Sequence, residues 1–391
     1  MRSGEFLITG LGTVSAVGGD LPAALENMAS GKRNASAVTL FPTSLPYPVF
    51  QAGLLESRDD DLEGLRTIAL LQCAVDEALR TARVASTEGQ RIGICIGTTV
   101  ASQLNDLGFY RAYRESGTPP LQPVNRFLKG NPAEYLAHRL KTRGPALTVV
   151  NACSSGTDAV GVALTWLKAG LCDMVIAGGA DELNHIPYAG FSSLGILNPG
   201  LCAPFDRERR GLNLGEGAGV MVIEPRAAAV RRGEKPDLFL AGYGLSSDAY
   251  HLTAPSPDGV GLRAAISAAL AEAGVGPGDI SFVNAHGTGT HDNDLVEGKV
   301  LAELFGPAVK VVSTKGYTGH TLGAAGGIEA VFTAAGLRDG WIPASAGFSL
   351  RDEEIPLAPV CRNTRINGSF ALSTSLAFGG NNAALVIGRE G

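Results

Sequence analysis

Three residues of this 391-residue chain stand where chemistry is done. Cys153 lies in Val149-Val150-Asn151-Ala152-Cys153-Ser154-Ser155-Gly156, between a β-run and the start of a helix. Free N–H groups and the helix dipole favour a thiolate at such a point. A free cysteine is ordinarily an inert, buried apolar residue. The strand–turn–helix setting and small neighbours separate this one from Cys73, Cys95, Cys172, Cys202 and Cys361. His286 ends a strand in Asn284-Ala285-His286-Gly287-Thr288-Gly289-Thr290. His320 closes Ser313-Thr314-Lys315-Gly316-Tyr317-Thr318-Gly319-His320, ahead of a Gly/Ala-rich run. A lone histidine is more often structural. Two of them in half-related settings, beside a nucleophile and among small residues that admit backbone and substrate, read as catalytic groups. Ser375-Leu376-Ala377-Phe378-Gly379-Gly380-Asn381-Asn382 adds a glycine turn after a strand, able to aim backbone N–H groups at a developing oxyanion.

The elements that must hold these residues alternate between strand and helix, the pattern of an α/β fold. Strands are expected at Phe6–Thr9, Arg91–Gly97, Leu147–Val150, Met174–Gly178, Ala218–Glu224, Phe239–Tyr243, Phe282–Asn284, Val309–Ser313, Phe370–Thr374 and Ala383–Ile387. Several are unbroken apolar runs, as strands covered on both faces should be. Helices are expected at Thr157–Ala169, stopped by Gly170, and at Gly261–Glu272. The chain also repeats itself. Phe6–Ser15 matches Phe239–Ser246 in pattern, the strand before Thr98 matches that before Thr288, and the Cys153 loop matches the His320 loop. The order is kept while the first half carries extra residues, so an old duplication is inferred. The halves are 1–230 and 231–391, meeting near Arg226–Pro236, and a shared site is expected at their junction.

Composition excludes other classes. The chain is 45% hydrophobic and 18% charged with net charge −6, so nucleic acid is a poor partner. No apolar run reaches a membrane span, and the opening residues lack a signal-peptide body, which points to the cytoplasm. The six cysteines form no CxxC pair, so neither a disulfide framework nor a metal site is expected. Thr9-Gly10-Leu11-Gly12-Thr13-Val14-Ser15 opens like a dinucleotide fingerprint, but Ser15 stands at the third glycine and no acidic residue follows at the right distance. A tight turn is the better reading.

Taken together, NACSSG at Cys153, NAHGTGT at His286, STKGYTGH at Lys315 and His320, and AFGGNN at Phe378 resemble the β-ketoacyl-acyl carrier protein synthases in order and spacing. TGLGTVS, APFDRERRGLNLGEGAG and SSDAYHLTAP extend the resemblance over nearly the whole chain, nearest the elongating KAS II-like branch. It implies the thiolase fold, five α-β-α-β-α layers from two similar halves, usually as a homodimer. It implies that Cys153 carries an acyl group delivered by acyl carrier protein. Malonyl-carrier then loses CO2 and its carbanion attacks the acyl thioester, in fatty acid or in polyketide or polyene biosynthesis. His286 and His320 would hold the enolate, with Lys315 and Glu329 supporting them. The N–H groups of Cys153 and Phe378 would hold the tetrahedral oxyanion, and the Phe378 ring would gate the pocket. Thr288, Thr290 and Thr253 would contact the pantetheine arm. No metal or redox cofactor is implied. Since carrier proteins are acidic, docking needs basic residues; Arg207, Arg209 and Arg210 are the candidates, with Arg66 as a second patch.

The chain departs from the family pattern. His291 replaces a usual Pro, and Asn293 a usual Gly, where Asn would preserve a left-handed turn. Asn381 replaces a usual Thr, Leu376-Ala377 differs ahead of Phe378, and Tyr317 is large for its loop. All are expected at the pocket, where they bear on the acyl substrate. A degradative thiolase would carry a second cysteine in the 376–382 loop, which has none. A chain-length-factor subunit would lack the nucleophile, though a heterodimer with one remains open.

Overall fold

The computed structural model describes residues 5–53, 65–101 and 107–391; of the opening stretch, residues 1–4 lie outside it. Twelve strands are described: β1 (Phe6–Ser15), β2 (Ile92–Gly97), β3 (Ala146–Val149), β4 (Met174–Asp181), β5 (Gly217–Pro225), β6 (Leu238–Ser247), β7 (Ile280–Asn284), β8 (Val311–Val312), β9 (Trp341–Ile342), β10 (Thr364–Arg365), β11 (Phe370–Ala377) and β12 (Asn381–Arg389). Ten of them correspond to the ten runs expected from sequence. The pair β9–β10 is a separate two-stranded ribbon too short to leave a periodic signal.

The duplication is written in the strand order. The first half pairs as β3-β2-β4-β5-β1 and the second as β8-β7-β11-β12-β6, the same order in both. The central pairings are parallel, β2 to β3 and β4, β7 to β8 and β11. The last strand of each half returns antiparallel. Among the described residues, the ladder between the halves pairs Leu7 of β1 with Phe239 of β6.

Helix Ser155–Lys168 and helix Ala325–Asp339 lie between the two halves and touch strands of both. From Ala325 to Leu337 every residue is buried, whichever way it faces, as a helix enclosed between the two halves of the ten-stranded sheet requires. Helix Arg66–Thr81 covers β1, β4 and β5 from outside, and helix Val260–Ala273 covers β6 and β12. The result is five layers.

The Gly10–Gly12 pair is neither a fingerprint nor a turn. β1 continues through it to Ser15, after a bulge at Thr9 in its ladder with β5. A Cβ on Gly10 would stand 2.1 Å from the Ala78 carbonyl oxygen, and one on Gly12 2.0 Å from that of Ala74. The glycines let helix Arg66–Thr81 press onto the strand. Gly242 and Gly244 of β6 do the same for helix Val260–Ala273, with 2.3 and 2.1 Å to the carbonyls of Ala269 and Ala265. The repeated glycines are a packing device, present in each half.

Candidate active site

The loops leaving β2, β3, β4, β7 and β11 at their C-terminal ends, and the loop beyond β8, converge where the halves meet, the usual place for a ligand in such sheets. Cys153 follows β3 and precedes helix Ser155–Lys168. Ala152 is left-handed at φ +51°, a strain of about 1–3 kcal/mol that functional turns retain. Side chains hold the turn in place: Asn151 and Ser154 both donate to Asp158, at 2.6 and 2.7 Å, and Tyr243 donates to its other oxygen at 2.7 Å.

His320 occupies the matching position in the second half, beyond β8 and ahead of helix Ala325–Asp339. Its Nε2 lies 3.1 Å from Cys153 Sγ. The rings of His286 and His320 meet edge to face with centroids 5.3 Å apart. Lys315 Nζ lies 3.1 Å from His286 Nδ1, donates to the His286 carbonyl at 2.6 Å, and pairs with buried Glu329. With an ammonium at Nδ1, the His286 proton resides on Nε2. Burial pushes both imidazoles well below their ordinary range, and the Lys315 charge adds to this. They are neutral hydrogen-bond partners at physiological pH. Burial raises Glu329 to about 7, against the pull of Lys315.

The thiol corrects the expectation of a ready thiolate. Cys153 is buried and its pKa is pushed up to about 11 by desolvation, which outweighs the lowering by Lys315 and by the Phe378 backbone N–H. A helix start acts through partial charges; enclosing a thiolate costs more. The resting site is a neutral thiol beside the neutral His320.

A cavity of about 440 Å3 reaches from Cys153, His286 and His320 past Thr288, Thr290 and Thr253 to Arg210. Thr288 and Thr290 share a hydrogen bond of 2.8 Å. Phe378 follows β11 and opens a turn whose Gly379 and Gly380 have φ +84° and +83°.

Two docking candidates fail. Arg209 is buried, donating to Asp352 at 2.5 Å and to the Asp206 and His291 carbonyls. Arg66 is tied to Glu216 and to the Ala52 carbonyl. Arg207 and Arg210 are exposed, and of these only Arg210 lines the cavity. Asn293 preserves no left-handed turn. It lies inside helix His291–Phe305 and its amide donates to Asp294 at 3.1 Å. His291, Asn293, Leu376 and Ala377 line the cavity as expected of substrate-side differences. Tyr317 does not; it is buried in the core and donates to the Ala344 carbonyl at 2.9 Å.

Three contributors escaped the sequence. Glu297 accepts from the backbone N–H groups of His286 and Gly287, both at 2.8 Å, and fixes that loop. Asp181 does the same for Thr99 and Gly323, at 2.8 and 2.7 Å. An acid ending an apolar strand was a usable signal for Asp181. Phe191, in helix His185–Ser193, stacks on Phe378 with centroids 5.4 Å apart, and nothing local foretold it.

Comparison with known proteins bears directly on this arrangement. Residues 65–229 match the model for the β-ketoacyl synthase N-terminal domain, and residues 239–349 that for the C-terminal domain. The chain belongs to the β-ketoacyl synthase family. It is 35% identical to 3-oxoacyl-[acyl-carrier-protein] synthase 2 of Staphylococcus aureus, over 97% of this chain and 100% of the relative. Among solved structures, the ishigamide ketosynthase/chain length factor superposes with a TM-score of 0.92 at 30% identity, covering 99% of each chain. A ketosynthase in complex with its chain length factor from Xenorhabdus doucetiae gives 0.84 at 30% identity, covering 99% of this chain and 98% of the other. The fold is therefore the thiolase fold of ketosynthases, and the chain is a condensing acyltransferase of the 3-oxoacyl-acyl carrier protein synthase type. No helix among the described residues is long and apolar enough to cross a membrane.

Proposed function

We propose that Cys153 takes an acyl group from acyl carrier protein and that the same site extends it with malonyl-carrier. The observation that carries this is the 3.1 Å contact between Cys153 Sγ and His320 Nε2, with His286 alongside. His320 removes the thiol proton as Sγ attacks the acyl thioester. The Phe378 N–H, already directed at Sγ, and that of Cys153 hold the oxyanion. Collapse expels the carrier thiol. Malonyl-carrier then breaks its C–CO2 bond, and the electron pair enters an enolate whose oxygen accepts hydrogen bonds from the neutral imidazoles. His286 donates its Nε2–H, and His320 donates in the tautomer that carries its proton on Nε2 once the acylated Cys153 no longer donates to it. Lys315 and Glu329 keep His286 neutral with its proton on Nε2. The carbanion attacks the acyl carbon, Cys153 leaves, and β-ketoacyl-carrier forms. The sequence balances without a metal or redox cofactor, and suits action in the cytoplasm.

Thr288, Thr290 and Thr253 line the path of the pantetheine arm, and Arg210 stands at its mouth for the acidic carrier. A second reading concerns assembly. The structural neighbours solved with a chain length factor favour a heterodimer in which this chain, having the nucleophile, is the catalytic subunit; a homodimer is the other arrangement. Purified protein mixed with acyl-carrier and malonyl-carrier, read by intact mass, tests the reaction: an acyl adduct on Cys153 followed by a β-ketoacyl-carrier supports it, and an adduct on another cysteine overturns it.

A further inference from the structure

Phe191 links the gate to the catalytic histidine. Its ring stacks on Phe378 at 5.4 Å with planes 15° apart, and it also stands edge-on to His320, centroids 6.4 Å apart and planes at 89°. His320 in turn touches Cys153 Sγ. Three rings therefore run in a row from the glycine turn to Cys153.

The two ends of this row are anchored differently. Phe191 lies on helix His185–Ser193, capped by the Asn184 side chain. Tyr188, one turn earlier, is buried and donates to the carbonyls of Leu45 and Tyr47. Phe378 sits on a turn with two left-handed glycines, the kind of backbone that absorbs a change of φ and ψ.

We infer that Phe191 is a positioning residue, the fixed face against which the Phe378 ring closes. Through its edge contact it keeps the His320 imidazole aligned while the gate is shut. This rests on the reaction proposed above. When an acyl group enters, Phe378 leaves the stack, and only then does the enolate site open to malonyl-carrier. Loss of the stack separates decarboxylation from acylation. Malonyl-carrier then breaks its C–CO2 bond with no acyl group on Cys153, and the enolate takes a proton from water to leave acetyl-carrier.

The test measures CO2 released from malonyl-carrier without an acyl donor, divided by condensation with one. An aromatic pair contributes enough beyond its area that losing it should raise this ratio about threefold to tenfold. Phe191→Leu, which keeps volume and apolarity, should show that rise. Phe191→Tyr, which keeps the ring, should stay within twofold of the wild type. A merely structural role would move melting temperature and overall rate but not this ratio. A leucine variant with the wild-type ratio, or a tyrosine variant that rises as far as leucine, overturns the inference alone. A wild-type protein that neither acylates Cys153 nor releases CO2 overturns the reaction and this inference together.

Discussion

The Cys153 loop and the His320 loop are the same structural position in two halves of one fold. Each leads from the third strand of its half to a helix buried between the halves. Each contains one residue other than glycine in the left-handed region, Ala152 at φ +51° and Leu322 at +54°. The support differs. The first loop is held by neutral donors on the Asp158 carboxylate. The second half carries a buried ion pair, Lys315 with Glu329, pressed against His286. The strand order supplies the scaffold twice, and on the function proposed above a few side chains make one copy the carrier of the nucleophile and the other its acid–base partner. The charge sits with the imidazoles because it must hold a proton at a chosen nitrogen. At the cysteine turn the Asp158 carboxylate meets only neutral amide and hydroxyl donors, which fix geometry.

The strongest way to break this division is to remove the nucleophile. Cys153→Ala should reduce condensation to background and abolish the acyl adduct in intact-mass spectra, with the fold intact because the change is small. Retained adduct would place the nucleophile elsewhere.

His286→Ala and His320→Ala come next. Each should slow CO2 release from malonyl-carrier by on the order of 10²–10³, the scale for losing one oxyanion donor. Stopped assays with labelled malonyl-carrier read this directly. Protonation of the imidazoles should not slow the wild-type protein from pH 6.5 upward. Both imidazoles titrate well below 6.5, so the neutral form persists there and is lost only as pH falls further. A change of rate around pH 7 belongs to Glu329 and should disappear in Glu329→Gln. A Glu329→Gln protein whose rate still collapses between pH 7 and 6 would show the histidines to be less buried in action.

Breaking the ion pair sharpens the contrast between the loops. Lys315→Met alone leaves the Glu329 carboxyl buried without its cation and should cost about 3–5 kcal/mol in denaturant unfolding. Adding Glu329→Gln should recover much of that stability but not the rate. A Lys315→Met protein as stable as the wild type would show that the pair is dispensable to the fold.

The smallest effect is expected at the surface. Arg210→Glu should raise the carrier KM several-fold and flatten its salt dependence, as loss of a rim charge does. Arg209→Glu should instead lower melting temperature, because that guanidinium is enclosed with Asp352. Equal KM effects from the two would make the FDRERRG stretch a single patch after all.

Much of this was legible along the chain. Apolar runs located all ten strands of the main sheet because strands covered on both faces have no polar side to disguise them. The repeat showed through because both copies need glycine where a helix crosses a strand. Cys153, His286 and His320 stood out because small residues and strand ends are local features. Other properties were set by neighbours far along the chain. Burial, which only the assembled halves create, raised the thiol and lowered the imidazoles. Arg209 and Arg210 are adjacent in sequence and both border the cavity, yet one is buried against Asp352 and the other is exposed. Asn293 became helical, and Phe191 met Phe378, through packing that no local pattern encodes. Backbone propensity and apolar periodicity act over a few residues and can be read one segment at a time. Desolvation, ion pairing and ring stacking depend on which distant atoms finally enclose a group, and that was decided only when the two halves closed on each other.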